Sequence, residues 1–251
     1  MFRLATFAYW LDDQQRAREL SEGLLANSRR TGNDEGIGKA LYLLASQPPW
    51  REPSAAISLL EEATHCFQRA GNPHWAVLCQ GSLAKRAMEL GQLERATWLL
   101  EQAYATCRRL EHDWGAALAL EWLGRVAVAT GDNARAIMHL RESLRLLAEE
   151  QDTMQFALTL IDITIPLARS GDTRQAVYLL ASSEARLLEM GVTLMSWQQA
   201  IHQEVTTQAR AVLGEPAMQE IWEAGRQMSL ADIAAQLGTD DPLTLVPKDP
   251  S

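Results

Sequence analysis

Lysine is nearly missing from this chain: among 251 residues only Lys39, Lys85 and Lys248 are lysine, and the formal net charge is -9. That balance excludes non-specific nucleic-acid binding, which needs clustered cations to displace counterions from phosphates. What positive charge there is comes from arginine, the better residue for planar pairing with carboxylates. Cysteine is scarce too. Cys66, Cys79 and Cys107 share no C-x-x-C spacing, so neither a disulfide framework nor a zinc site is indicated, and buried thiols are expected. No G-x-x-x-x-G-K-[ST] is present, which removes the phosphate cradle of a nucleotide-hydrolysing motor. No apolar run approaches the roughly 18 residues of a membrane span. Met1-Phe2-Arg3 opens straight into helical pattern without a signal-peptide layout, and a cytoplasmic protein is expected.

Catalytic groupings are equally thin. His65, His74, His112, His139 and His202 are scattered, with no H-E-x-x-H and no Ser, His and Asp set that helical repeats would bring together. Glu61-Glu62 and Glu149-Glu150 read as solvated charge. A non-enzymatic protein without cofactor or metal is expected.

What the chain does have is a period. Ala56, Ala96, Ala136 and Ala176 stand about 40 residues apart, and so do Leu60, Leu100, Leu140 and Leu180. Ala63, Ala103, Ser143 and Ser183 form a third column. The turns before them repeat as Gly91-Gln92-Leu93, Gly131-Asp132-Asn133 and Gly171-Asp172-Thr173. A fixed period of this size marks a stacked repeat. Within each unit apolar residues recur at three and four, the helical spacing. Val77, Leu78, Leu83, Ala84, Ala87 and Leu90 give one helix; after Gly91, Leu93, Ala96, Leu99, Leu100 and Ala103 give a second. The small columns mark close helix crossings, where a larger side chain would force the backbones apart.

Extending the register upstream puts Leu4 in a column with Leu43, Leu83, Leu123 and Ile163 and gives five helix pairs, the second helices beginning near Asp13, Pro53, Gln92, Asp132 and Asp172. Asn72-Pro73, Asp113 and Asp152 read as caps of first helices. Gln47-Pro48-Pro49-Trp50-Arg51 replaces the glycine turn of the second pair, so its first helix should end early. Pro166 predicts a kink. After Gly191 the period changes. Thr193–Leu213 reads as one helix and Glu215-Pro216 opens another to about Met228. Ser229-Leu230-Ala231-Asp232, with capping-box spacing, starts a short third. The expected organisation is a repeat array over 1–190, capping helices over 191–238 and a disordered tail over 239–251.

The columns Leu83, Ala84, Ala87, Gly91, Ala96, Leu100 and Ala103 resemble the tetratricopeptide pattern, as do Leu123, Gly124, Ala127, Gly131 and Ala136. Asp113-Trp114-Gly115-Ala116-Ala117-Leu118-Ala119-Leu120-Glu121 resembles the start of a repeat in MalT-like, signal-transducing NTPase regulators. Leu213-Gly214-Glu215-Pro216, with Trp222-Glu223-Ala224-Gly225-Arg226-Gln227-Met228-Ser229-Leu230, resembles their closing segment. The resemblance implies an all-α, right-handed superhelical solenoid, the sensor or scaffold part of such a LuxR-type transcriptional regulator without its NTPase and DNA-binding domains. Ser229 to Gly238 also resembles the first helix and turn of a helix-turn-helix, but Asp240-Asp241-Pro242 follows where a recognition helix is needed.

In arrays of that kind the first helices line a concave face. One ladder at that phase is Tyr42, Ser82, Trp122 and Asp162, flanked by Lys85, Glu89, Glu121, Arg125 and Arg169. Aromatic rings among alternating charges suit a peptide or partner segment, since Trp, Tyr and Arg dominate interface energies. The alternative for the same residues is a solvated face, with Lys85 and Glu89 an i,i+4 pair. Two other functions stay open: sensing a small-molecule ligand, and homo-oligomer formation through the array ends.

Overall fold

A computed structural model describes residues 1–10, 13–46, 53–192, 194 and 196–237. Among them every regular element is an α-helix. The hairpins are α1 (Phe2–Trp10) with α2 (Gln14–Thr31), α3 (Asp34–Ser46) with α4 (Pro53–Arg69), α5 (Pro73–Glu89) with α6 (Leu93–Arg109), α7 (Asp113–Thr130) with α8 (Asn133–Glu149), and α9 (Thr153–Arg169) with α10 (Thr173–Glu189). Three further helices follow: α11 (Ser196–Leu213), α12 (Glu215–Gln227) and α13 (Leu230–Leu237). None of the described helices is long and apolar enough to cross a membrane.

The contacts divide the chain into two compact units that part inside α7, Met1–Ala119 and Leu120 onward. In the first unit α1 to α6 pack in sequence, each on its neighbour. In the second, α8, α9 and α10 do the same; α11 lies on α9 and α10, α12 on α10, and α13 on α8, α9 and α10.

The repeated columns form the core. All four alanines from Ala56 to Ala176 and all four leucines from Leu60 to Leu180 are buried, with Ala63, Ala103, Ser143 and Ser183 beside them. Leu43, Leu83, Leu123 and Ile163 are buried as well, but Leu4 is 61% exposed. This corrects its place in that column: the side of α1 that carries Leu4 faces solvent.

The glycine turns work as the spacing requires. Gly91, Gly131 and Gly171 have φ of 71°, 81° and 98°, the left-handed region where a Cβ is strained. At the first of them Gly91 N–H donates to the Met88 carbonyl (2.9 Å) and Gln92 N–H to that of Ala87 (2.8 Å), the paired bonds of a Schellman stop. Three acidic residues cap with their side chains, while Asp172 stands at the start of α10 without a side-chain cap bond. Asp13, Asp132 and Asp152 accept the N–H three residues on. Asp113, expected to cap α7, is instead its first helical residue, and His112 Nδ1 accepts the Gly115 N–H at 3.0 Å.

α3 is described as far as Ser46; Gln47–Arg51, on which its expected early end turns, lies outside the described residues, as does the segment from Gly238 on. α9 continues through Pro166 to Arg169. Ser229 Oγ accepts the Asp232 N–H and donates to its carboxylate. The three thiols are buried, and burial pushes Cys79 up to about 12 and Cys107 to about 11, which keeps both protonated and unreactive.

The core columns make a direct prediction. Leu100→Ala, at a side chain 1% exposed, should cost about 2–5 kcal/mol through the cavity it opens. Glu149→Ala removes only an exposed i,i+4 pair with Arg145 and should cost no more than about 0.5 kcal/mol. Urea unfolding of the two variants checks this, and equal shifts would mean the helix faces are misassigned.

Candidate functional site

α7 and α9 are apolar almost all round, which marks helices buried on several sides. Charge on such a helix must find partners inside the protein. Glu121 and Arg125 lie one turn apart on α7, and Gln155, Thr159 and Asp162 form an i, i+4, i+7 stripe on α9. The second unit brings these five together. Arg125 Nε donates to Asp162 Oδ2 at 2.7 Å and its Nη2 to Glu121 Oε1 at 2.6 Å. The other Glu121 oxygen accepts from Thr159 Oγ1 (2.8 Å) and from Gln155 Nε2. Both carboxylate side chains are 3% exposed and that of Arg125 is 20%.

The guanidinium is also clasped by aromatic rings. Its carbon stands 4.4 Å from the centroid of Trp122 and 4.4 Å from that of Trp197 on α11. Cation–π attraction favours arginine here because its flat, weakly hydrated head stacks on indoles. Burial raises the Asp162 carboxyl to about 7, with Glu121 adding to the effect and Arg125 opposing it. For Arg125 burial works against the charge, but Asp162 and Glu121 outweigh it and hold the guanidinium ionised.

This geometry corrects part of the sequence-derived ladder. Glu121 and Asp162 are buried and do not face outward for a partner; one oxygen of each is taken up in fixing Arg125. Trp122 and Arg125 stay half-buried, with Trp197 beside them. Arg169 reaches the α11 side chain Glu204 at 2.6 Å. In the first unit Tyr42 packs edge-on against Trp75 at 5.4 Å. Ser82 is half-buried, and Lys85 and Glu89 are exposed. Glu89 takes Arg86 (2.7 Å) and not Lys85. Glu61 and Glu62 bind Arg95 and Arg29 on neighbouring helices (2.9 Å each). Among the described residues no three His, Cys, Asp or Glu side chains converge as a metal site would need.

Column reading missed Trp197, Gln155 and Thr159. Trp197 lies beyond the 40-residue register, so no column contains it. Gln155 and Thr159 were visible as polar residues on the Asp162 stripe of an otherwise apolar helix.

Solved structures share this arrangement of hairpins. A Podosopora anserina putative kinesin light chain with nearly identical TPR-like repeats superposes with a TM-score of 0.51 at 19% identity, covering 78% of this chain and 93% of its own. The fold is a tetratricopeptide-like helical repeat. A Rap protein complexed with Competence and Sporulation Factor superposes with a TM-score of 0.56 at 14% identity, over 93% of this chain and 70% of that one. Identities this low establish the tetratricopeptide-like fold and nothing finer. No protein-family model matches the chain, and no curated protein matches its sequence. The likeness to MalT-like regulators therefore rests on the sequence segments quoted above.

Proposed function

We propose that this tetratricopeptide-like protein is a non-catalytic interaction module of a regulatory or signalling system, and that its second unit binds a peptide or protein segment across Trp122, Arg125 and Trp197. The observation that carries this reading is the guanidinium held between two half-buried indoles over a frame of buried carboxylates. Rigid aromatic anchors around an arginine are the residues that dominate binding energy at interfaces. A helix surface with no task beyond solubility has no need for this arrangement. The Rap protein complex gives a precedent for ligand binding by the same fold. In this reading Glu121 and Asp162 position Arg125, and Arg169 borders the face. Tyr42, Ser82, Lys85 and Glu89 offer a separate contact area on the first unit.

The test keeps Arg125 in place, because its removal would strand two carboxylates. Peptides are selected from a displayed random library against the whole protein, and their affinities are measured by calorimetry on Trp122→Ala and Trp197→Ala. Each substitution should weaken binding about tenfold or more, with helicity by circular dichroism unchanged. Selected peptides that bind the double variant as tightly as the parent would overturn the assignment.

A further inference from the structure

The first unit holds a second cation among aromatic rings, built differently and independent of the face around Trp122. Trp75 on α5 is its centre. Phe2 meets Trp75 nearly at right angles (5.5 Å, 85°), and Tyr42 does the same (5.4 Å, 78°). Phe67 backs the Trp75 ring in parallel (5.4 Å, 19°). Of these rings, Phe2 and Trp75 turn toward one common point. Lys39 fills it: its Nζ is 5.4 Å from the centroid of Phe2 and 5.7 Å from that of Trp75. Glu35, one turn earlier on α3, holds the same ammonium at 2.5 Å.

Lysine is a poor occupant for such a box. Its ammonium is compact and strongly hydrated, so placing it among rings sacrifices water that the rings only partly replace. The Lys39 side chain keeps 25% exposure and Glu35 keeps 45%, and an ion pair so open to solvent adds little. A weakly hydrated cation loses less water on entry and gains the same attraction from the ring faces. Displaced, Lys39 can extend into solvent from its half-buried stem.

We infer that Phe2 and Trp75, with Tyr42 and Phe67 packed against Trp75, form an aromatic box for a weakly hydrated organic cation, with Lys39 as the built-in occupant that the ligand displaces and Glu35 as the counter-charge. Two sources offer that chemistry: a methylated ammonium group and an arginine side chain.

The probes are choline, its uncharged tert-butyl isostere and N-acetyl-arginine amide, titrated into the full chain and followed by NMR. Ring currents should move the choline methyl signal upfield. Lys39→Ala, which vacates the box, should bind choline about tenfold more tightly than the parent, and the isostere should bind at least about tenfold more weakly than choline. Trp75→Leu should abolish binding; if it unfolds the unit, Phe2→Leu gives the same reading at a position on the edge of the cluster. Tighter binding of the arginine amide than of choline assigns the box to an arginine side chain, and the reverse assigns it to a methylated ammonium. If Lys39→Ala gains nothing for either cation, or if the isostere matches choline, the proposal is wrong. Neither outcome touches the reading of Trp122 and Trp197, whose variants would still lose their peptides.

Discussion

Arg125→Met should destabilise the protein by about 3–5 kcal/mol at neutral pH, the cost of leaving buried carboxylates without their cation. Methionine preserves most of the stem volume, so little of the loss comes from packing. Glu121 keeps its bonds from Thr159 and Gln155, but Asp162 loses the Arg125 partner that opposes its protonation. Two facing anions in a buried site then favour protonation of one of them. The pH dependence follows in sign. Asp162 already binds its proton more tightly in the folded than in the unfolded chain, so its contribution to stability is present at low pH and is lost as pH rises through the folded value of about 7. Removing Arg125 raises the folded value further and deepens that loss. The deficit of Arg125→Met relative to the parent should accordingly shrink between pH 7.5 and about pH 5, measured by urea unfolding at each pH. A deficit that is constant with pH would mean that Arg125 acts through packing alone. The further substitution Asp162→Asn in the Arg125→Met background should recover part of the loss, because a neutral amide costs less to bury than an unpaired carboxylate.

How much of this was legible in the sequence depends on what carried the signal. Columns such as Ala96 with Ala136 and Leu100 with Leu140 repeat because each hairpin meets its neighbour at the same crossing, and periodicity exposes them without coordinates. Turns were legible for the same reason, since Gly91, Gly131 and Gly171 need a backbone conformation that few other residues accept. Burial of charge was harder to see. Phase alone placed Glu121 and Asp162 on a face, yet phase does not distinguish a helix with one covered side from a helix covered on several. The cue was the composition of the helices themselves: α7 and α9 surround these charges with Leu, Ile, Val and Ala, where solvated charge would have polar neighbours. Contacts outside the register stayed hidden. Trp197 reaches Arg125 from α11, and Phe2 reaches Trp75 from α1. No spacing rule relates such distant positions. His112 likewise took the α7 cap from Asp113 because an imidazole nitrogen accepts an N–H as a carboxylate does, a substitution that cap statistics rank low.

Phe67→Ala should be the costliest truncation in the first unit, at about 3–5 kcal/mol. The ring is fully buried, stacks on Trp75, and lies in a core with Leu41, Ala63, Cys66, Ala76 and Cys79. Its shape also explains a residue on another helix. A Cβ added at Gly38 on α3 would stand 2.8 Å from two carbons of the Phe67 ring, closer than packed carbons come. Gly38 therefore accepts the glycine penalty in a helix interior, about 1 kcal/mol relative to alanine, so that the ring can fit beneath it. This pairing predicts a sign reversal. In the parent, Gly38→Ala overpacks the contact and should destabilise, the strain of about 1–3 kcal/mol outweighing the gain in helix propensity. In the Phe67→Ala background the space is vacant, and the same substitution should stabilise by up to about 1 kcal/mol. Denaturant unfolding of the four chains gives the coupling directly. If Gly38→Ala shifts stability equally in both backgrounds, the two positions are not in contact, and the glycine needs another explanation.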